Sequence, residues 1–177
     1  NKEVSPDQKV TISTRAWKVP PGSSKMFLEP GSRVSVDQLL RGLMIQSGND
    51  AAIALAEAVS GSVEAFVARM NDTAAQLGLH GTHFASPHGL PDPDTYSTVS
   101  DLSILATRFI RDYPELYKTY DSAKTYTYNN ITQPNRNRLL WLDPSVDGLK
   151  TGHTDAAGYC IVATARRPNG KDQRRLV

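Results

Sequence analysis

The segment VDGLKTGHTDAAGYCIVATA, residues 146–165, places a Lys-Thr-Gly triplet immediately before a run of alternating side chains. Along residues 159–165 the odd-numbered and even-numbered positions fall on opposite faces of an extended chain, which is typical of a β-strand. Pro168, Asn169 and Gly170 then form a turn signal, and an extended pattern resumes near Arg174. We therefore predict an antiparallel hairpin, with the triplet at the start of a strand.

The triplet itself has the chemistry of an anion site. Gly152 lacks a side chain, so an extended ligand could approach the strand edge there. Thr151 offers a hydroxyl to a carboxylate and Lys150 adds a positive charge, which together suit the free carboxylate end of a peptide or a similar anion. A plain turn leading into a strand is the alternative for three residues of such common types.

Helical signals run from about residue 35 to about residue 120. Ser35 with Gln38 is a capping-box pattern, and apolar residues then recur at helical spacing up to a stop at 47–48. A second helix should be capped by Asn49 or Asp50, a third by Ser62, and a fourth by Thr98. Between the third and fourth, residues 79–96 are rich in Gly, Pro, Asp and His and predict a long ordered loop.

These signals predict one α/β (α+β) domain over residues 1–177. It should have a helical lobe at about residues 35–120 and an antiparallel sheet from about 4–17 and 124–177, flanked by helices. The segment KTYTYNNIT, residues 124–132, alternates like one of its strands.

Composition argues against several classes of function. A net charge of +2 from 20 basic and 18 acidic residues gives no strong field, so no nucleic-acid partner is expected. No apolar run is long enough for a membrane span, and no targeting signal is evident. His80, His83 and His88 share one loop without a suitable set of further ligands, so neither a metal nor another cofactor is expected.

A second interruption of regular structure lies at QSGND, residues 46–50. It breaks an apolar helical region, so the hydroxyl of Ser47 and the amide of Asn49 should be presented at a short connection instead of being buried. An ordinary helix-turn-helix junction with an N-cap is the alternative, because these residue types favour turns.

Taken together, the two segments resemble the second and third motifs of penicillin-binding proteins and serine β-lactamases, Ser-x-Asn and Lys-Thr-Gly. The resemblance extends to GSSKMFLEPGSRVSVDQLLRGLMIQSGNDAAIALAE, PHGL, NRNRLLW and VDGLKTGHTDAAGY, and it covers nearly the whole chain. These stretches are similar to the low-molecular-mass D-alanyl-D-alanine carboxypeptidases of the penicillin-binding protein 5 type. That resemblance implies a penicillin-binding, β-lactamase-like fold, incomplete at both ends in this chain.

The resemblance also implies an activity. Members cleave the terminal D-Ala from peptidoglycan stem pentapeptides through a serine acyl-enzyme, and β-lactam antibiotics such as penicillins acylate the same serine. Ser47 then matches the residue that relays protons, and Asn49 the residue that holds the substrate amide. Lys150 would supply positive potential, while Thr151 and Gly152 would receive the substrate.

Two further residues are implied with less defined roles. His153 matches a variant of the third motif and is expected to shape deacylation, with packing or capping as the alternative. Arg136, in Asn-Arg-Asn, resembles an arginine near the site, and we favour its pairing with a carboxylate.

The first family motif, Ser-x-x-Lys, is absent from the sequence, because no lysine has a serine three positions before it. No nucleophile can therefore be assigned, and the chain as it stands is expected to be inactive and to lack elements that cover its core. The resemblance further implies a periplasmic, inner-membrane-associated parent protein, anchored through a C-terminal segment that this chain lacks.

Two other interpretations stay open at this point. A class A β-lactamase would need a Glu-x-x-Leu-Asn loop between the second and third motifs, where this chain has only YPELYKTY. A non-catalytic homologue or fragment would merely bind D-Ala-D-Ala peptides, penicillins or a partner protein.

Overall fold

The structure, a computed structural model, describes residues 4–177. Its helices are α1 Thr14–Trp17, α2 Val36–Gln46, α3 Asn49–Ser60, α4 Val63–Gln76, α5 Val99–Asp112, α6 Pro114–Leu116 and α7 Leu139–Leu142, with a π-helical turn (the π-turn) at Tyr117–Asp121. Its strands are β1 Lys9–Thr11, β2 Arg33–Ser35, β3 Thr125–Tyr128, β4 Ile131–Pro134, β5 Val146–Thr154, β6 Gly158–Asn169 and β7 Asp172–Leu176.

The strands form three separate antiparallel sheets. β1 pairs with β2, and β3 pairs with β4. The largest sheet has the order β5-β6-β7, in which Lys150 lies opposite Val162 and Asn169 opposite Asp172. The hairpin predicted at residues 168–170 is therefore present.

The main core lies where α1, α2 and α3 meet the β1–β2 pair. Leu39 and Ile45 of α2 are completely buried, and every residue from 49 to 56 in α3 is buried. The predicted capping box is confirmed, because the backbone N–H of Gln38 donates to the Ser35 hydroxyl and the Gln38 side chain accepts from the Ser35 backbone. Ser62 and Thr98 cap α4 and α5 as predicted.

The cap predicted for α3 is wrong. Gly48 occupies the N-cap position, without a side-chain cap hydrogen bond, and Asn49 and Asp50 lie inside the first turn. The carboxylate of Asp50 instead accepts hydrogen bonds from the backbone N–H groups of Met26 at 3.0 Å and Leu28 at 3.1 Å. A residue type that favours caps is thus used to hold a distant segment.

Two strand predictions also need correction. The Lys-Thr-Gly triplet does not begin its strand, because β5 starts at Val146 and the run from residue 159 belongs to the next strand, β6. Residues 124–132 do not form one strand either: Asn129 and Asn130 both adopt positive φ, 48° and 60°, and turn the chain between β3 and β4. Two successive residues with positive φ are typical of a type I′ hairpin turn.

The loop at residues 79–96 is fixed by side chains from two helices. The Asn71 side chain in α4 both donates to and accepts from the backbone of Phe84, each at 2.8 Å. Asp101 in α5 accepts from the backbone N–H of Gly81 at 2.8 Å and from the Thr82 hydroxyl at 2.7 Å. The predicted long ordered loop is therefore confirmed, with anchors that order it along its first half.

A close contact between α2 and the preceding segment predicts a destabilising substitution. A Cβ atom on Gly42 would lie 2.3 Å from Sδ and 3.0 Å from Cβ of Met26. We expect Gly42→Ala to lower the free energy of unfolding by about 1–2 kcal/mol, because overpacking outweighs the helix propensity gained by alanine. Urea denaturation of the wild type and the variant measures this difference.

The control for Gly42→Ala is the same change made in a Met26→Ala background. There the Sδ contact at 2.3 Å is gone and only the Cβ contact at 3.0 Å remains, so the cost of Gly42→Ala should become clearly smaller than in the wild-type background. An equal cost in both backgrounds would show that Met26 is not its cause.

In the part of the chain that the structure describes, no single helix is long and apolar enough to cross a membrane. α3 and α4 reach the required length and composition only together, with a bend of 84° between them.

Candidate active site

A cleft of about 690 Å³ lies between the α2–α3 junction, the loop at residues 87–90 and β5. All seven residues singled out in the sequence line it: Ser47, Asn49, Arg136, Lys150, Thr151, Gly152 and His153. Two segments about a hundred residues apart in sequence thus form opposite walls of one site.

Ser47 is presented by an abrupt end of α2. It adopts a left-handed conformation with φ 59° and ψ 39°, which stops the helix and turns the chain toward α3. The next residue must be small, because a Cβ atom on Gly48 would lie 2.9 Å from Oδ1 of Asp50 and 3.3 Å from the Gly42 carbonyl oxygen. Steric contacts therefore explain why the central residue of Ser-Gly-Asn is glycine.

Asn49 begins α3 and lines the cleft, but only 8% of its surface is exposed, so the prediction that it would not be buried is wrong. Its backbone N–H donates to the carbonyl oxygen of Ser24 at 2.9 Å. This bond, with those of Asp50, draws the segment of residues 23–28 over the junction. Ser23 and Ser24 become part of the cleft wall as a result.

Lys150 joins the two walls directly. Its Nζ donates to the Ser47 hydroxyl at 2.5 Å and to the carbonyl oxygen of Thr151 at 2.7 Å. Burial, and secondarily the positive charge of Arg136, lowers the pKa of Lys150 to about 8, while the charge of Asp121 opposes this lowering. A lysine with this pKa exchanges a proton readily near neutral pH.

Arg136 is held at the cleft by its two neighbours. Asn135 and Asn137 are buried, and their side-chain oxygens accept from the backbone N–H groups of Asn137 and Leu139, at 2.9 and 3.2 Å. Arg136 between them is exposed and lines the cleft. The predicted pairing with a carboxylate is not found, since the structure records no ion pair of Arg136 within residues 4–177.

The strand β5 offers an unpaired edge to the cleft. It pairs with β6 on one side, and no strand among residues 4–177 pairs with its other side. A Cβ atom on Gly152 would meet no protein atom within 4 Å, so packing within the chain does not require glycine there. The space beside Gly152 is therefore open to a ligand backbone.

His153 lies near the end of β5, opposite Tyr159 of β6. The two rings contact each other with centroids 4.2 Å apart, and Tyr159 is 92% exposed. His153 therefore packs against another side chain, as the alternative prediction stated. The packing partner, Tyr159, is exposed to solvent and also lines the cleft. Tyr159 was placed in a strand by the sequence pattern, without a role in the site.

The loop at residues 87–90 was also missed as part of the site. His88 lines the cleft, and its Nδ1 lies 3.1 Å from the Ser86 hydroxyl and accepts from the backbone N–H of Leu90 at 3.2 Å. Burial, and secondarily the charge of Arg15, lowers the pKa of His88, which favours its neutral form. The stretch PHGL contributed to the family resemblance, so the signal to include it was present.

A second cavity, of about 530 Å³, lies behind Lys150. It lies between α2, α5 and the β5–β6 pair, and its lining is mostly apolar: Met44, Leu102, Leu105, Ala106, Phe109, Leu149, Ile161 and Val162. Asp121 and Lys150 are the charged residues in its wall. Both cavities share residues 150–152, 160 and 161.

The structure gives no support to the β-lactamase alternative or to a metal site. Glu115, the glutamate of YPELYKTY, is exposed on α6 and does not line the cleft. Within residues 4–177 there is no group of three or more His, Cys, Asp or Glu residues placed to bind a metal ion.

Comparison with known proteins agrees with this geometry. A profile of the family described as D-alanyl-D-alanine carboxypeptidase matches residues 1–176. Similar proteins include the D-alanyl-D-alanine carboxypeptidase DacA of Haemophilus influenzae, 52% identical over 162 residues, which are 90% of this chain and 41% of that protein. DacD of Salmonella typhimurium is 47% identical over 179 residues, 98% of this chain and 45% of that protein. The chain therefore spans less than half the length of these relatives.

Solved structures agree in fold as well as in sequence. Penicillin binding protein 5 from Haemophilus influenzae superimposes with a TM-score of 0.92 and 48% identity, covering 98% of this chain and 50% of that structure. Penicillin binding protein 6B from Escherichia coli gives a TM-score of 0.87 and 47% identity over 96% of this chain and 54% of that structure. The predicted fold, helices with an antiparallel sheet as in penicillin-binding proteins, is confirmed. The chain belongs to the D-alanyl-D-alanine carboxypeptidase family.

Proposed function

We propose that this chain supplies two walls of the active site of a serine-type D-Ala-D-Ala carboxypeptidase. The whole protein would remove the terminal D-Ala from peptidoglycan stem pentapeptides through an acyl-enzyme and would be acylated by penicillins. One observation carries the proposal: the hydrogen bond from Lys150 to Ser47, which joins the Lys-Thr-Gly and Ser-Gly-Asn segments across a single cleft.

The cleft suits a peptide that ends in a free carboxylate. An extended peptide can add to the unpaired edge of β5, where backbone hydrogen bonds give affinity without demanding particular side chains. Its carboxylate would then meet the ammonium group of Lys150 and the hydroxyl of Thr151. Open space beside Gly152 lets the peptide backbone approach closely.

Ser47 is suited to relay a proton. Its oxygen accepts from Lys150, so its own hydroxyl hydrogen is left to donate into the cleft toward a reacting group. Because the pKa of Lys150 is about 8, the lysine can return a proton to Ser47 when that hydrogen is given up. Asn49, on the next turn, would hold the substrate amide, and His153 would influence deacylation.

The proposal assigns no nucleophile among the 177 residues, because the sequence contains no Ser-x-x-Lys motif. The second cavity supports its placement on another segment, since the apolar lining suits one face of an amphipathic helix and Lys150 lies in the cavity wall. A serine on a helix packed there would face the Lys150–Ser47 pair. The periplasmic, membrane-anchored location and the role in cell-wall and cell-shape maintenance belong to the same proposal for the whole protein.

The test is intact-protein mass spectrometry of the whole protein after incubation with a labelled penicillin. We expect one covalent adduct, together with release of D-Ala from a pentapeptide that ends in D-Ala-D-Ala. The isolated 177-residue chain is the comparison, and we expect no adduct from it. If the whole protein gives neither an adduct nor D-Ala but retains reversible binding, the non-catalytic interpretation replaces this proposal.

A further inference from the structure

Asp121 is a buried carboxyl group that the proposed chemistry does not use. Only 1% of its surface is exposed, and neither of its carboxyl oxygens has a hydrogen-bond partner among residues 4–177. Leaving an ionisable group in this state costs free energy unless a charge nearby compensates for it. Its surroundings should therefore explain why an aspartate is placed there.

The π-turn that carries Asp121 is held rigidly on both sides. Tyr117 donates to the carboxylate of Asp147 at 2.6 Å, which fixes the turn to β5, and Tyr120 donates to Asp37 at 2.9 Å, which fixes it to α2. Both tyrosines are buried, with 4% and 5% of their surface exposed. These contacts fix the position of Asp121 in the fold. Short π-helical segments also often occur at functional sites.

Asp121 lines the second cavity, whose wall also contains Lys150. The remaining lining is mostly hydrocarbon, so the interaction between the two opposite charges is weakly screened. Lys150 is also subject to the like charge of Arg136 from the side of the cleft. The lysine is thus influenced by both a repelling cation and an attracting carboxylate.

We propose that Asp121 is a positioning residue whose carboxylate acts as the counter-charge of Lys150, opposing Arg136 and keeping the lysine protonated while substrate binds. This inference deepens the proposed function and rests on it. The carboxylate acts through Lys150 and does not itself touch substrate.

The titration properties of the two groups agree with this arrangement. Burial raises the pKa of Asp121 to about 7, and the charge of Lys150 opposes that rise. Asp121 in turn opposes the lowering of the Lys150 pKa by burial and Arg136. The elements around the pair carry other charged or titratable groups. The helices and the π-turn contribute Asp37 and Arg41 on α2, Asp101, Arg108, Arg111 and Asp112 on α5, Glu115 on α6, and Tyr117, Lys118 and Tyr120 in the π-turn. The strands contribute Asp147 and His153 on β5 and Tyr159, Cys160, Arg166 and Arg167 on β6, and His88 lies across the cleft.

The test compares the whole protein with its Asp121→Asn variant, in which shape is retained and charge is removed. Competitive acetylation followed by mass spectrometry measures the fraction of deprotonated Lys150 as a function of pH. We expect the midpoint for Lys150 to fall by about one pH unit, the lower end of the effect of an adjacent opposite charge. The alkaline limb of kcat/KM for a D-Ala-D-Ala peptide should move by the same amount, mainly through KM.

The matched control is Asp172→Asn on the exposed β7 strand, which should leave the Lys150 midpoint unchanged. An unchanged midpoint in a folded Asp121→Asn variant would overturn the inference. Acetylation does not require turnover, so it tests the charge pair even if the whole protein forms no penicillin adduct and the proposed function fails.

A second measurement covers the case in which Asp121→Asn does not fold. The carboxyl carbon of Asp121 is then followed by NMR through a pH titration of the unsubstituted protein. A second inflection that coincides with the titration of Lys150 supports the pair. A single inflection, with no change at the pH where Lys150 titrates, contradicts the proposed charge pair.

Discussion

Replacing Asp50 by alanine is expected to lower the free energy of unfolding by about 3–5 kcal/mol, because it leaves buried backbone donors without acceptors. Asp50 is 1% exposed, and its carboxylate accepts from the N–H groups of Met26, Leu28 and Ala51 at 3.0, 3.1 and 2.9 Å. The first two lie more than twenty residues earlier in the chain. One side chain therefore ties an irregular segment to the start of α3.

Urea denaturation of the Asp50→Ala variant measures the loss, with Asp7→Ala as the matched control. Asp7 is exposed, so its removal should change stability by less than about 0.5 kcal/mol. Asp50→Asn, which keeps one acceptor oxygen, should fall between the wild type and the alanine variant. A cost below about 1 kcal/mol for Asp50→Ala would show that water or a rearranged segment replaces the carboxylate.

The Asp50→Ala substitution should also loosen one wall of the candidate active site. Ser23 and Ser24 line the cleft just before Met26, and the Ser24 carbonyl oxygen accepts from the backbone of Asn49. When the anchor at Asp50 is removed, this wall is expected to loosen before the remainder of the helical core does. Hydrogen exchange at the Met26 and Leu28 amides, compared with exchange at Leu39, would reveal that order.

Features that depend on neighbours in sequence could be predicted from the sequence. The capping box of Ser35 and Gln38 and the caps at Ser62 and Thr98 were predicted correctly, since each is a contact within three or four residues. The turn at Asn129 and Asn130 is equally local, and it was missed because the alternation of residues 125–128 was extended through the two asparagines, although it breaks there. Asparagine tolerates positive φ, so the signal for this turn was available.

Features that depend on distant contacts could not be derived in the same way. The residues next to Asp50 in sequence do not show whether it caps a helix or anchors a distant segment. The backbone amides that it binds belong to a separate loop. Asp121 likewise gives no sequence signal, since its burial depends on α2, α5 and β5 meeting around the π-turn. The two motifs of the site were identified through resemblance, whereas their contact through Lys150 and Ser47 required the fold.

In the whole protein, Lys150→Gln is expected to reduce the rate of acylation by labelled penicillin by about 10²–10³-fold. Glutamine can still donate a hydrogen bond to Ser47, but it carries no charge to attract a carboxylate and cannot exchange a proton with the Ser47 hydroxyl. The effect should therefore exceed the loss of one neutral hydrogen bond. Stopped-flow acylation kinetics at several penicillin concentrations separate binding from the chemical step.

The pH dependence of the acylation rate should differ between the wild type and Lys150→Gln. Lys150, whose pKa is about 8, is protonated below that pH and loses its charge as the pH rises, so wild-type acylation should decline on the alkaline side of pH 8. That decline should vanish in Lys150→Gln, which has no charge to lose. Lys171→Gln, in the exposed turn between β6 and β7, should retain both rate and profile. If Lys150→Gln retains the wild-type rate, or keeps the alkaline limb, another group supplies the positive potential, and Arg136 becomes the first candidate because it lines the same cleft.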